Sequence, residues 1–249
     1  MDLALYHYDH SVCSQKVRLC LEEKGLAWAS HPVDLMRFEN TRPEYLALNP
    51  EGVVPTLVHD GRPIRESTVI NEYLDDVFPE PPLRPAGALA RAEMRVWIKL
   101  EDDTALPSVG LLTFQRLIKP QMRQRSEGEI ADMMAAHPNR ERARLHRFVR
   151  DADLPAEVLR DAERKLVGVL DRLEASLASQ PWLAGATYSL ADLTWLPFLD
   201  RMVLLGMGDM LAPAARPALA DWCARSRERP SYARAVLRFM GGRSRAEER

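Results

Sequence analysis

The residue pattern changes once along the chain, near residue 80, and this change restricts the possible folds more than any other feature. Before it, short apolar stretches alternate with turns, whereas after Ala88 apolar residues recur at steps of three and four. Alternation is typical of strands, and steps of three and four are typical of helices. We therefore expect a mixed domain over residues 1–80, a linker over 81–88 and an all-helical domain over 89–249.

The mixed domain begins with a strand, a helix and a second strand. Residues 3–8 alternate between apolar and polar side chains, and the helix after them is expected to end at Lys24-Gly25, where glycine accommodates a left-handed backbone. Residues 28–33 can return as a strand parallel to the first. The remaining predicted elements are a helix over 43–48, a strand over 53–58, a turn over 59–61, a strand over 62–64 and a helix over 67–78. This order predicts an α/β domain of the thioredoxin-like type, followed by a stiff, proline-rich linker.

The second domain is predicted to be an all-α helical bundle. One apolar stripe has the required spacing and consists of Leu159, Ala162, Leu166, Val169, Leu173 and Leu177. Residues 121–155 carry many charges and few large apolar side chains, which predicts a solvated helical segment outside the bundle. Residues 241–249 are expected to form a frayed tail.

The charge balance excludes several classes of partner. The chain has 34 basic and 36 acidic residues and a net charge of -2, so we expect neither nucleic acid nor a membrane as a partner. No signal peptide or spanning segment is predicted, which leaves the cytoplasm as the expected location. The three cysteines, Cys13, Cys20 and Cys223, are too scattered for a disulfide framework, and we expect no metal site.

A proline at the start of a predicted strand requires an explanation, because Pro55 cannot donate a ladder hydrogen bond. The sequence Asn-Pro-Glu-Gly-Val-Val-Pro-Thr-Leu over 49–57, followed by Arg-Glu-Ser-Thr-Val-Ile over 65–70, resembles the glutathione-binding core of the glutathione transferase superfamily. The resemblance implies a cis Val54-Pro55 bond, with the Val54 backbone pairing with the cysteinyl part of glutathione. It also implies that Glu66 and Ser67 hold the γ-glutamyl group and that Asn40 contributes to the same site.

The position of Ser67 supports this assignment independently. It opens the predicted third helix, where a hydroxyl, free backbone amides and the positive end of the helix dipole suit a carboxylate. Ser67 can also act simply as a helix cap, which contributes about 1 kcal/mol of stability. The two roles are compatible.

A second cluster lies between the first strand and the first helix, where this family activates sulfur. Ser11 matches the family's catalytic serine, and Cys13 completes a Ser-x-Cys pattern similar to the zeta class and to glutathione-dependent reductive dehalogenases. The glutathione thiol has an ordinary pKa of about 8.5, and lowering it by two units requires about 2.7 kcal/mol of preference for the thiolate. One hydroxyl hydrogen bond at a helix start can supply it. Tyr6 and Tyr8 are alternatives, because other classes use a tyrosine on the first strand, and Tyr6 is the better match.

Two further patterns are interpreted structurally. Tyr188-Ser-Leu-Ala-Asp192 resembles the family's capping motif, in which Ser189 caps a helix and Asp192 reaches back to its backbone amide. Cys20 and Cys223 lie within predicted helices and are expected to be packing residues.

The resemblance implies an enzyme in which the glutathione thiolate attacks a small hydrophobic electrophile. Trp97 and Phe114 are the main candidates for the electrophile site, with Leu100 and Leu111 beside them. The reaction stays open between reductive dehalogenation and aryl-ether cleavage. The alternatives are a glutathione-dependent isomerase of the zeta class and a non-catalytic scaffold like the ganglioside-induced differentiation-associated proteins. The family also implies a homodimer.

Overall fold

A computed structural model describes residues 2–240 of the chain. Its first part contains a single mixed sheet with the order β2-β1-β3-β4, in which β1 and β2 are parallel and the other neighbours are antiparallel. The strands are β1 Leu3–His7, β2 Ala29–Pro32, β3 Thr56–His59 and β4 Arg62–Ile64. Because β1 runs antiparallel to β3, the residues that follow β1 lie beside those that precede β3.

Three helices accompany the sheet. They are α1 Val12–Glu23, α2 Pro43–Leu46 and α3 Ser67–Val77, and short 3₁₀ turns cover Leu35–Arg37 and Glu39–Thr41. Helices α1 and α3 pack together, and Val17 and Ile70 on them are fully buried with Leu5 and Leu57 of the sheet. The predicted βαβ-ββα order is therefore present, and α1 is followed by Gly25 at a φ of 62°.

The third strand begins three residues later than the pattern predicts, at Thr56 instead of Val53. Pro55 has no N–H to donate, so the ladder cannot extend through it. The hairpin after this strand turns over two residues, Asp60 and Gly61, which both have positive φ, at 47° and 79°. This geometry matches the right-handed twist of the flanking strands.

The second part of the molecule is helical. Its helices are α4 Ala88–Leu100, α5 Leu106–Thr113, α6 Lys119–Met122, α7 Glu127–Ala136, α8 Arg140–Asp151, α9 Ala156–Leu177, α10 Leu190–Leu204, α11 Pro217–Glu228, α12 Pro230–Tyr232 and α13 Arg238–Met240. π-helical turns occupy Glu101–Ala105, Phe114–Ile118 and Ala233–Leu237. Between residues 2 and 240 no helix combines the length and the apolar character needed to cross a bilayer.

Helix α10 forms the centre of the bundle and also contacts α1 of the first domain. It begins with a capping box, in which Asp192 Oδ2 accepts from the Ser189 backbone N–H at 2.9 Å. Asp192 Oδ1 also accepts from Trp222 Nε1 at 2.8 Å, so this buried carboxylate is held by structural contacts. The predicted stripe on α9 is buried from Ala162 to Leu177, and Cys20 and Cys223 are buried as expected.

The charged segment over 121–155 differs from the expectation of a purely solvated excursion. Its outer face does carry ion pairs, such as Arg150 with Glu127 at 2.6 Å. Its inner face forms a small core of buried residues: Met122, Ile130, Met133 and Ala143, with Phe38 packed against them. Pro138 lies so close to Gly52 that a Cβ there would be 2.9 Å from Pro138 Cγ. The segment therefore packs onto the first domain. The predicted tail over 241–249 lies outside the described residues.

Candidate functional site

The loop before β3 presents an unpaired stretch of backbone. The Val54-Pro55 bond is cis, as the family resemblance implied. No hydrogen bond joins the Val54 N–H or C=O to another residue within the described part of the chain. An extended ligand can therefore pair with this backbone as an added strand does.

Side chains on two neighbouring elements hold this loop in place. The carbonyl of Val53 accepts from Tyr45 Oη at 2.5 Å and from Asn49 Nδ2 at 2.9 Å. Asn40 Nδ2 donates to the Gly52 carbonyl at 2.7 Å, whereas its buried Oδ1 has no partner among residues 2–240. Asn40 thus positions the loop and still has an acceptor to offer.

The start of α3 lies beside the same loop. Glu66 precedes the helix with a φ of 65°, a rare conformation for a residue other than glycine, and its side chain is exposed. Such strained residues cluster at functional sites. Ser67 is the first residue of the helix and is 7% exposed. Its backbone amide and hydroxyl can receive a carboxylate, while Glu66 can receive an ammonium group.

The start of α1 places a hydroxyl at the end of β1. Ser11 is the N-cap, and its Oγ accepts from the Ser14 backbone N–H at 3.2 Å. The Ser11 backbone N–H is itself used, because it donates to the Tyr8 carbonyl at 3.0 Å. Since Oγ is the acceptor in the capping bond, the Ser11 O–H proton can still be donated to an anion next to the helix end.

Cys13 occupies the second position of α1 and is half-buried. Burial raises the pKa of its thiol above the usual value, and the charge of Lys16 and the nearby hydroxyl of Ser67 act in the opposite direction. The thiol is therefore protonated at neutral pH. The Ser67 contact also joins the starts of α1 and α3, so the candidates Ser11, Cys13, Glu66 and Ser67 lie in one region.

A buried ion pair lies beneath this region. Lys16 on α1 and Glu101 after α4 are both fully buried and form a hydrogen-bonded pair across the two domains. Asp102 Oδ1 lies 3.5 Å from the same ammonium group. Burial raises the pKa of Glu101 to about 7, and its Oε1 has no partner in the part of the chain that the structure describes.

The two tyrosine alternatives lie in different surroundings. Tyr6 stacks on His31 of β2, with ring centroids 4.6 Å apart. Tyr8 lies next to Ser11 and close to Arg201, and burial raises its phenol pKa above the usual value. Tyr8 is therefore protonated at neutral pH. It is the tyrosine nearer to the start of α1, although the sequence favoured Tyr6.

The electrophile candidates do not share neighbours. The Phe114 ring contacts His146 of α8, with centroids 4.8 Å apart. Trp97 instead packs edge-on against Trp195 at 6.3 Å, and its carbonyl accepts from Trp195 Nε1 at 3.2 Å. Phe114 therefore faces the charged segment, whereas the ring of Trp97 contacts Trp195 of α10 and the exposed Arg172 of α9.

Three residues that the sequence analysis did not single out surround the site from the helical domain. Arg201 of α10 donates to the His10 carbonyl, and its guanidinium interacts with Cys13 and Tyr8. Arg142 of α8 also interacts with the Cys13 sulfur. His146 follows Arg142 by one helical turn, a spacing that places both on one face. That spacing was visible in the sequence, but the high charge of the segment suggested solvent exposure.

Comparisons with known proteins identify the family. The N-terminal domain model of glutathione S-transferases matches residues 5–82, and the C-terminal domain model matches residues 142–225. Protein LigF of Sphingobium sp. strain SYK-6 is 36% identical, over 93% of this chain and 91% of that protein. The chain belongs to the glutathione S-transferase family, a class of enzymes whose co-substrate is glutathione. The resemblance and fold class inferred from the sequence are confirmed.

Two solved structures and a second relative support the same family assignment. The crystal structure of the beta-etherase LigF superimposes with a TM-score of 0.90 at 34% identity, over 96% of this chain and all (100%) of that one. The tetrachloro-p-hydroquinone reductive dehalogenase of Sphingobium chlorophenolicum is 29% identical, over 97% of this chain and 99% of that protein. The glutathione transferase F7 of Populus trichocarpa superimposes with a TM-score of 0.76 at 28% identity, over 96% of this chain and all (100%) of that one.

Proposed function

We propose that this enzyme binds glutathione along the loop before β3 and places its sulfur at Ser11. The observation that carries the proposal is a convergence at one end of the sheet. Tyr6 of β1 pairs with Thr56 of β3, so the segment that leads from β1 to the N-cap and the open backbone of Val54 lie at the same end of the sheet. In this arrangement the Val54 backbone pairs with the cysteinyl unit, while Glu66 and Ser67 bind the γ-glutamyl group.

The chemistry follows from the sulfur position. The Ser11 hydroxyl donates a hydrogen bond to the glutathione thiolate, and the positive end of the α1 dipole favours the same charge. The thiolate attacks an electrophilic carbon, a carbon–sulfur bond forms, and the bond from that carbon to its leaving group breaks. The electron pair of the broken bond leaves with the departing group. The negative charge thus moves from sulfur to the leaving atom.

Aryl-ether cleavage is the reaction that we favour, with a phenolate as the leaving group. It needs only the glutathione thiolate, and the beta-etherase LigF is similar along nearly the whole chain. Reductive dehalogenation is the second candidate, because Cys13 lies beside Ser67 and a relative is a reductive dehalogenase. There the Cys13 thiolate would attack the sulfur of a glutathione conjugate, releasing reduced product and a mixed disulfide that a second glutathione resolves. The raised pKa of the Cys13 thiol disfavours this second route.

Product analysis separates the two reactions. With an aryl ether, the wild-type enzyme is expected to release one phenol and one glutathione thioether per turnover, without oxidised glutathione. Cys13→Ser is expected to retain the ether activity, because Cys13 takes no part in that step. Formation of oxidised glutathione that disappears in Cys13→Ser would instead establish the dehalogenase route. Absence of turnover with ethers and halides alike would contradict the proposed activity.

Ser67 provides a test of the binding mode. Replacing it with alanine removes one hydrogen bond to a charged group, worth about 1.5 to 3 kcal/mol, so glutathione affinity is expected to fall by about tenfold or more. Titration calorimetry with glutathione measures this loss. Thr68→Ala, one position further along α3, is the matched control and is expected to bind like the wild type. Equal affinities for Ser67→Ala and the wild type would place glutathione elsewhere.

The assembly and location are further parts of the proposal. Large apolar side chains stay exposed on α3 and α4, with Val69 56%, Leu89 74% and Val96 59% exposed. This surface suits a second copy of the chain, so we propose a homodimer. The cysteines Cys13, Cys20 and Cys223 are free thiols, which agrees with a reducing compartment such as the cytoplasm.

A further inference from the structure

One face of α8 carries side chains that the glutathione site does not use. Pro138, just before the helix, packs against Gly52 of the glutathione loop. One turn into the helix comes Arg142, and one turn later His146 contacts Phe114. Arg142 therefore lies between the loop that binds glutathione and the ring of Phe114.

Arg142 differs from the arginines of this segment that are paired with carboxylates. Arg125, Arg147 and Arg150 each form an ion pair with a carboxylate. The guanidinium of Arg142 forms neither a salt bridge nor a hydrogen bond with any residue between 2 and 240, and only its backbone N–H is paired, with Asn139. Its side chain remains accessible to solvent, while the surrounding protein lowers the pKa of its guanidinium.

The groups around Arg142 determine the net charge of the space between its guanidinium and the ring of Phe114. The sulfur of Cys13 lies near the guanidinium, and no carboxylate contributes to the pKa of Arg142. His137 and His146 lie close by, and burial lowers the pKa of both, that of His146 to about 3. Both histidines are therefore neutral at physiological pH. The space beside Phe114 holds one positive charge with no described counter-charge.

We propose that Arg142 and Phe114 form a subsite for the leaving group, where Phe114 packs against an aromatic ring and Arg142 pairs with the anionic oxygen of a phenolate. This proposal rests on the proposed ether cleavage and names its substrate class as aryl ethers with a phenolate leaving group. When the carbon–oxygen bond breaks, its electron pair stays on oxygen, and the guanidinium pairs with that charge before solvent protonates it. His146 is a positioning residue that holds the Phe114 ring.

Direct binding of a phenol tests the subsite without turnover. The probe is 4-nitrophenol, whose ionisation is visible by absorbance, added to the enzyme in complex with S-methylglutathione. An opposite charge within a few ångströms typically lowers the pKa of an acid by one unit or more, so we expect the pKa of bound 4-nitrophenol to fall by about one unit. Arg142→Gln is expected to abolish this shift and to weaken nitrophenolate binding by about tenfold.

The controls separate charge from shape. Arg144→Gln removes an exposed arginine two residues away on the same helix and is expected to keep the wild-type shift. Binding of the neutral isostere 4-nitrotoluene is expected to be equal in the wild type and Arg142→Gln, and the urea midpoints of the two proteins should agree. In turnover, Arg142→Gln should slow ethers of poor leaving groups more than those of good ones.

Several outcomes would overturn the proposal. These are an unshifted pKa for the bound probe, a shift that survives Arg142→Gln, equal losses for nitrophenolate and 4-nitrotoluene, or no binding of 4-nitrophenol. Failure of the proposed function is distinct from these. If only the proposed function fails, no ether is cleaved. The wild type still lowers the pKa of bound 4-nitrophenol in that case, and Arg142→Gln does not.

Discussion

Replacing Ser11 with alanine is expected to lower kcat/KM by about 10- to 100-fold and to shift its pH profile toward higher pH. A hydrogen bond to a charged group contributes about 1.5 to 3 kcal/mol, and each 1.4 kcal/mol is about tenfold in rate. Without the hydroxyl, the pKa of bound glutathione returns toward that of a free thiol, about 8.5. At low pH the variant therefore holds glutathione as the protonated thiol, whereas the wild type still holds part of it as the thiolate. The loss of activity relative to the wild type should be largest there. Initial rates between pH 5.5 and 9 measure this shift.

The structural role of Ser11 requires its own control, because its Oγ also caps α1 at 3.2 Å from the Ser14 N–H. Loss of an N-cap serine to alanine costs about 1 kcal/mol of stability, whereas glycine costs only a few tenths. Ser11→Gly should therefore show the same kinetic loss as Ser11→Ala with a nearly wild-type unfolding midpoint. Wild-type rates in Ser11→Gly would assign the sulfur to another donor, with Tyr8 the next to test.

The sequence was sufficient for the parts of the molecule that local rules determine. Gly25 ends the first helix at a positive φ, and Ser189 with Asp192 forms a capping box, because these features depend on residues a few positions apart. The cis Val54-Pro55 bond was implied by a family motif and not by propensity. The late start of β3 at Thr56 shows that the missing N–H of the proline outweighed the β-branched residues before it.

The parts that sequence reasoning missed depend on packing between distant segments. Arg142 belongs to a charged stretch, and its position depends on the contact between Pro138 and Gly52, which are far apart in sequence. Lys16 was a charged residue in an amphipathic helix and gave no sign of complete burial. Its partner Glu101 lies 85 positions away, and no periodic pattern relates them.

Removing Lys16 is expected to have the largest effect on stability. Lys16 and Glu101 are both fully buried, so Lys16→Met leaves a carboxylate without its counter-charge. Breaking a buried pair in this way typically costs about 3 to 5 kcal/mol. Glu101 has a raised pKa in the folded state, to about 7, and Lys16 is one of the groups that lower it. Without Lys16 this pKa rises further, so the variant is most stable below the ordinary glutamate pKa of 4.5 and loses stability as pH rises through the folded-state pKa.

The double variant Lys16→Met with Glu101→Leu separates a charge effect from a packing effect. Apolar pairs of similar volume often replace buried ion pairs without loss, so the double variant should regain most of the wild-type stability. Lys99→Met, which removes an exposed partner of Asp103 on the neighbouring turn, should leave the urea midpoint unchanged. Urea unfolding at pH 5 and pH 8 measures all three variants. Two results together would contradict the charge effect: equal destabilisation of Lys16→Met at both pH values, and no recovery of stability in the double variant. The two side chains would then stabilise the fold through their volume, and not through the charge of Glu101.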